Sequence, residues 1–208
     1  METNSESAEI RILEAARKVF QTKGYDGARM QEIADEAGVN KALLHYYYRN
    51  KDTIFQAVFE ESFGILAQKI RETFLSDRPF RSQVEEFTRY YINFITENPF
   101  LPHFILNALY EKPEQIKALF EKNRINPDQI LKHIREKIGN ELQITADPLH
   151  VYINILSLCI FPVIAKPLIQ TVFGFPEEIM RKFYGERVQA VPEFILNALK
   201  GYETNPAK

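Results

Sequence analysis

The residues best suited to chemistry are cations and phenols gathered in one short run. Lys41, Arg49 and Lys51 bracket the consecutive tyrosines Tyr46, Tyr47 and Tyr48, and residues 39–51 contain no Asp or Glu. Ammonium, guanidinium and phenolic hydroxyl groups without an intervening carboxylate suit a polyanion. The nearby acids, Glu32, Asp35 and Glu36, all precede the run, so the formal net charge of -2 conceals a local asymmetry. A modest overall charge therefore does not exclude nucleic-acid binding.

Such groups need an element to present them, and the flanking residues specify one. Ile33, Ala34 and Ala37 recur at helical spacing, and Gly38 follows where a helix commonly closes in the left-handed region. Val39 can tuck into the angle of the turn, Asn40 is a good N-cap, and residues 41–48 then make a second, shorter helix. At about 100° per residue, Leu44 and Tyr48 share one side of it while Ala42, His45, Tyr46 and Arg49 face the other. Two short helices about a glycine turn are the plan of a helix-turn-helix, whose second helix reads DNA.

Over residues 12–59 these positions resemble the tetracycline-repressor-type (TetR) family of transcriptional regulators. The resemblance rests on Ala15-Ala16, Phe20, Gly24-Tyr25, Ile33-Ala34, Ala37-Gly38-Val39, Leu44, Tyr46-Tyr47 and Lys51. Three positions depart from the usual pattern: Ala28-Arg29 replace a capping Thr or Ser, His45 replaces Tyr, and Tyr48 replaces Phe. The resemblance implies that Gln31, Lys41, Ala42 and Leu43 approach base edges. Gln31 would pair with adenine, Lys41 with guanine, and the apolar pair with a thymine methyl. It places Arg29, Tyr46, Tyr47 and Lys51 on phosphates, with the N–H groups that open the next helix as a further anion site, and makes His45 a further contact.

The rest of the chain reads as helices only. Helix 1 is expected from near Ser5, after a capping box over residues 3–6, to Lys23-Gly24. Asn50 to Thr53 cap a helix over 51–75 whose apolar residues recur at three- and four-residue steps, long enough to serve two domains at once. Further helices are expected over 80–97, 101–110, 113–122 and 127–138, with Pro79, Asn98-Pro99 and Gly139 as breaks. Residues 149–173 are nearly continuously apolar, but Pro162, Lys166 and Pro167 interrupt them before the roughly 20 residues a bilayer requires. They are expected to be buried, with His150, Asn154 and Ser157 as one mildly polar stripe, and to pair with a last helix that kinks near Pro192. The expected fold is all-α: a helix-turn-helix domain over 1–50 and a larger helical domain over 51–208, with helix 51–75 bridging the two.

Composition narrows the function. With 208 residues, 45% of them hydrophobic and 12% aromatic, the chain can bury a full core. The acidic, polar N-terminus is unlike a secretory signal and the lone Cys159 has no disulfide partner, so a cytoplasmic protein is expected. No His-Glu-x-x-His, Gly-x-Ser-x-Gly, phosphate-cradling glycine loop or cysteine pair occurs, so no enzyme, cofactor or metal site is expected. Of the scattered histidines, His133 reads as a surface residue, and His103 and His150 as core or pocket groups.

Two features of the C-terminal part come from the resemblance to TetR regulators: a small-molecule cavity, and dimerisation through the last two apolar helices. Phe63, Leu66, Ile70, Tyr90, Tyr91, Phe94, Phe104 and Tyr152 are candidate walls for an apolar or aromatic effector. The function implied is a homodimeric regulator, chiefly a repressor, that leaves a palindromic operator when the effector tilts helix 51–75. The alternatives are a DNA-binding protein of the same fold under a protein partner's control, which a filled cavity favours, and a lipid carrier or enzyme using the same cavity.

Overall fold

The computed structural model describes residues 2–102, 105–106 and 113–204, and the elements within them are helical. In chain order they are α1 (Glu2–Gly27), α2 (Met30–Ala37), α3 (Lys41–Tyr47), α4 (Lys51–Phe74), α5 (Phe80–Glu97), α6 (Pro113–Lys122), α7 (Pro127–Leu142), α8 (Pro148–Ile164), α9 (Lys166–Phe173) and α10 (Glu177–Lys200). A 3-10 turn, Gly201–Thr204, follows.

Local chemistry fixes the helix ends. Asn40 accepts a hydrogen bond from the Leu43 N–H at 2.8 Å to start α3, and Asn50 accepts one from the Thr53 N–H at 2.9 Å to start α4. Thr53 answers by accepting from the Asn50 N–H at 3.2 Å, which completes a capping box. Asn126 and Asp147 cap α7 and α8, each followed by a proline whose missing N–H costs nothing in a first turn. Gly24 breaks α1 at φ 67°, so residues 25–27 leave the axis of the preceding helix. That helix begins at Glu2, which puts the expected capping box over 3–6 inside it.

One continuous core runs from Ile12, Phe20, Ile33 and Leu44 through Phe59 and Phe74 to Phe87, Ile134, Ile155 and Leu196. α1 rests on both α2 and α4, while α5, α8 and α10 pack together, and α7 closes the far end against α4, α5 and α8. α4 thus touches the first helices with its start and the remaining bundle with the rest of its length. It buries a side chain on nearly every turn, from Ile54 to Phe74.

The 149–173 stretch departs from a single buried helix. α8 ends at Ile164 and α9 leaves it at 62°; Pro162 removes one ladder hydrogen bond inside α8, and Pro167 lies in the first turn of α9. Among the described residues no single helix is long and apolar enough to cross a membrane, although this bent pair has the length and composition. His150, Asn154 and Ser157 lie on the exposed side of α8, which corrects the core or pocket role expected for His150. His133 is likewise not a free surface residue: its Nε2 lies 3.1 Å from the Ser76 carbonyl, which accepts from it. His103 lies outside the described residues.

Candidate nucleic-acid interface

α2 and α3 form the corner that the turn residues require. Gly38 sits at φ 63°, ψ 37°. Its N–H donates to the Asp35 carbonyl at 3.2 Å, and the Val39 N–H donates to that of Ala34 at 3.0 Å. These bonds satisfy carbonyls that the end of α2 would otherwise leave open. Ile33, Ala34 and Leu44 are fully buried and Tyr48 nearly so, which anchors one side of each helix in the core. Tyr48 also donates its hydroxyl to Glu9 of α1 at 3.3 Å, and burial first, then Glu9, raises its pKa.

The opposite side is open. Lys41, Ala42, His45, Tyr46 and Arg49 are exposed, Tyr46 to 79%, while Leu43 and Tyr47 are half-buried at its edge. The rings of Tyr46 and Tyr47 meet edge to face at 5.4 Å. The Arg49 carbonyl lies 3.1 Å from His45 Nδ1 and accepts from it. Gln31 and Arg29 are exposed at the start of α2, and Gln31 donates to Asp35 at 2.8 Å.

Two of the three acids of α2 are held by lysines of α1, while Asp35 stays exposed beside Gln31. Lys23 pairs with Glu32 at 2.7 Å and Lys18 with Glu36 at 3.1 Å, both from α1. Lys23 holds the Glu32 carboxyl below its usual range. Arg29, Lys41 and Arg49 join no ion pair among the described residues. The exposed side of α3 therefore carries uncompensated positive charge beside phenols and an imidazole, a set suited to phosphate oxygens and base edges.

Lys51 is placed differently from the expectation. Its ammonium turns inward to donate to the carbonyls of Tyr25 at 2.8 Å and Ala28 at 3.4 Å, and lies 4.3 Å from the centre of the Tyr25 ring. These partners lie more than 20 positions upstream, around the break at Gly24, where no local pattern reports them.

Four of the candidate wall residues come together around a small space. Phe63, Leu66, Tyr91 and Phe94 line a cavity of about 10 Å³ together with Phe59, Ile95, Leu101, Pro102, Ile105 and Ile160. That volume holds about one water molecule. Three candidate walls belong elsewhere. Ile70 is buried in the core outside this lining. Tyr90 stacks on Phe94 from outside with Lys69 5.4 Å from its ring centre, and Tyr152 packs edge-on against Phe74. Phe104 lies outside the described residues. Among the described residues, no cluster of three or more His, Cys, Asp or Glu side chains could hold a metal ion.

Residues 12–58 match the family described as "Bacterial regulatory proteins, tetR family". Over 193 residues the chain is 22% identical to the biofilm operon icaADBC HTH-type negative transcriptional regulator IcaR of Staphylococcus epidermidis, covering 83% of this chain and 91% of that protein. It is 44% identical over 62 residues to the HTH-type transcriptional repressor SCO4008 of Streptomyces coelicolor, which is 30% of this chain and 32% of that one. In fold it is similar to the crystal structure of a TetR-family regulator from Mesorhizobium loti, with a TM-score of 0.61 at 20% identity over 93% of this chain and 97% of that one.

Proposed function

We propose, for a chain that belongs to the TetR family of transcriptional regulators, that it represses transcription by binding a palindromic operator as a homodimer and leaves it when a small apolar or aromatic effector binds. The observation that carries this reading is α3 itself. It is a capped helix set by a glycine turn, with its apolar side anchored and its cationic, phenolic side open. In this reading Gln31, Lys41, Ala42 and Leu43 meet base edges, while Arg29, Tyr46, Tyr47 and His45 meet phosphates. IcaR and SCO4008 are named a negative regulator and a repressor, which favours repression.

The division of labour follows the helices. Residues 1–50 read DNA, and 51–208 dimerise and sense the effector, with α4 bridging them. Leu149, Ile153 and Phe161 of α8 and Phe194 of α10 are exposed large apolar side chains, which favours these helices as the surface covered by a second copy. An effector held by Phe63, Leu66, Tyr91 and Phe94 would move α4, and a tenfold loss of DNA affinity needs only about 1.4 kcal/mol of coupling. The protein would act in the cytoplasm without catalysing a reaction.

One observation favours a second reading. A cavity of about 10 Å³ admits no drug-sized molecule without opening, which suits control by a protein partner on the same fold. The test is to select duplex fragments from a random library with the full-length protein, then screen apolar metabolites for release. Enrichment of an inverted repeat with release by a metabolite supports the first reading, enrichment without any releasing metabolite supports the second, and no enrichment rejects both.

A further inference from the structure

The first turn of α4 grips one residue of the α1–α2 corner from three sides. Lys51 donates to the Tyr25 carbonyl at 2.8 Å and stands 4.3 Å from the centre of its ring. Asp52 accepts a hydrogen bond from the Tyr25 hydroxyl. Phe55, one turn on, meets the same ring edge to face at 4.9 Å. Lys51 also reaches the carbonyl of Ala28, the buried residue immediately before Arg29, where α2 starts.

These carbonyls need a donor. Gly24 has broken α1, so the chain over 25–28 ends a helix with open C=O groups, and Lys51 supplies what the ladder no longer does. Withdrawing the ammonium to a phosphate would strip both carbonyls and the ring contact. Leaving these part-buried acceptors without a donor costs more than one exposed ion pair to a phosphate returns. Asp52 adds a negative charge beside the same helix start, which disfavours a phosphate there.

We infer that Lys51, Tyr25 and Asp52 form the joint through which α4 sets the position of α2, and that Lys51 acts in DNA recognition as a positioning residue, not as a phosphate contact. The inference rests on the DNA-binding reading and deepens it: a tilt of α4 moves Tyr25 and Ala28 directly, and with them Arg29 and Gln31.

The test uses the full-length protein and duplex fragments that the parent itself enriches, with affinity measured for the active fraction between 50 and 200 mM salt. Lys51→Met should weaken binding at least tenfold without changing the slope of log affinity against log salt. Lys51→Arg, which keeps two donors and can lie on the ring, should restore affinity to within threefold. Tyr25→Phe, which keeps the ring and loses only the Asp52 bond, should weaken binding by about threefold. A merely structural lysine would lower the melting temperature and leave the affinity of the folded fraction unmoved. A slope reduced by about 0.9 in Lys51→Met means that the lysine does touch a phosphate and overturns the inference. Hydrogen exchange of the free protein gives a readout without DNA: Lys51→Met should speed exchange over 28–33 at least tenfold and leave α10 unchanged, and equal rates over 28–33 overturn the joint. If the parent enriches no fragment while exchange responds as expected, the DNA-binding reading fails and the joint stands as structure alone.

Discussion

Replacing Gly38 by alanine isolates the cost of the turn that aims α3. Gly38 holds φ 63°, ψ 37°, and a methyl group added there meets no atom within 4 Å. No clash contributes, so the penalty is the left-handed conformation alone, about 1–2 kcal/mol for an L-residue. Gly139 is the matched control: it is exposed inside α7, and its added methyl also meets nothing within 4 Å. Its conformation is helical, so alanine there should stabilise by about 0.5–1 kcal/mol. For a chain of this size, each kcal/mol moves the melting temperature by about 2–4 °C. Thermal melts at one fixed protein concentration should therefore show Gly38→Ala lowered by about 2–8 °C and Gly139→Ala raised by about 1–4 °C. Gly38→Asn should fall between Gly38→Ala and the parent, because asparagine tolerates this region better. The remaining folded protein should keep its DNA affinity within about threefold. A Gly38→Ala variant as stable as the parent would refute the left-handed turn, and with it the aim of α3.

Other expectations follow from single contacts. Asn40→Ala removes the cap on Leu43 and should cost about 1 kcal/mol in a urea titration, while Asn40→Asp should cost little. The phenols of Tyr25, Tyr152 and Tyr184 are pushed up to about 12, Tyr25 mainly by the hydrogen bond to Asp52 and the other two by burial. Unfolded tyrosines ionise near 10, so the stability these neutral phenols provide is complete below about pH 10 and is lost as pH rises through about 12. Denaturant midpoints between pH 9 and 12 should fall across that window, and a flat profile counts against the Tyr25–Asp52 bond and the burial of Tyr152 and Tyr184. Phe161→Glu combined with Phe194→Glu places charge on two exposed apolar side chains and should weaken self-association more than tenfold by sedimentation at micromolar concentration. Unchanged association would move the dimer face off α8 and α10.

The corner that presents α3 was legible because local rules decide it. A glycine at the required left-handed position, an asparagine at the cap, and Leu44 and Tyr48 one helical turn apart leave little choice of geometry. What tertiary contacts decide was not legible. Tyr90 and Tyr91 are neighbours in sequence, but the roughly 100° between them sends Tyr91 to the cavity and Tyr90 outward beneath Lys69. Tyr152 was a candidate wall by its apolar surroundings, yet Phe74 takes its ring. For Lys51, nothing in the order of residues shows that the carbonyls of Tyr25 and Ala28 will face it. Phe100 was hidden for the same reason: it packs with Phe20 of α1 and Phe55 of α4, while Leu101 and Pro102 beside it line the cavity.

Two copies of α3 on one palindromic duplex leave a symmetric footprint. Hydroxyl-radical footprinting of the full-length protein on a fragment it has itself enriched tests this most directly. Two protected patches are expected on one face of the DNA, related by the inverted repeat and centred about one helical turn apart, ~34 Å. Lys41→Ala should blur base preference within both patches equally. A single patch, protection without an inverted repeat, or a footprint that Lys41→Ala leaves unchanged in sequence preference would contradict it.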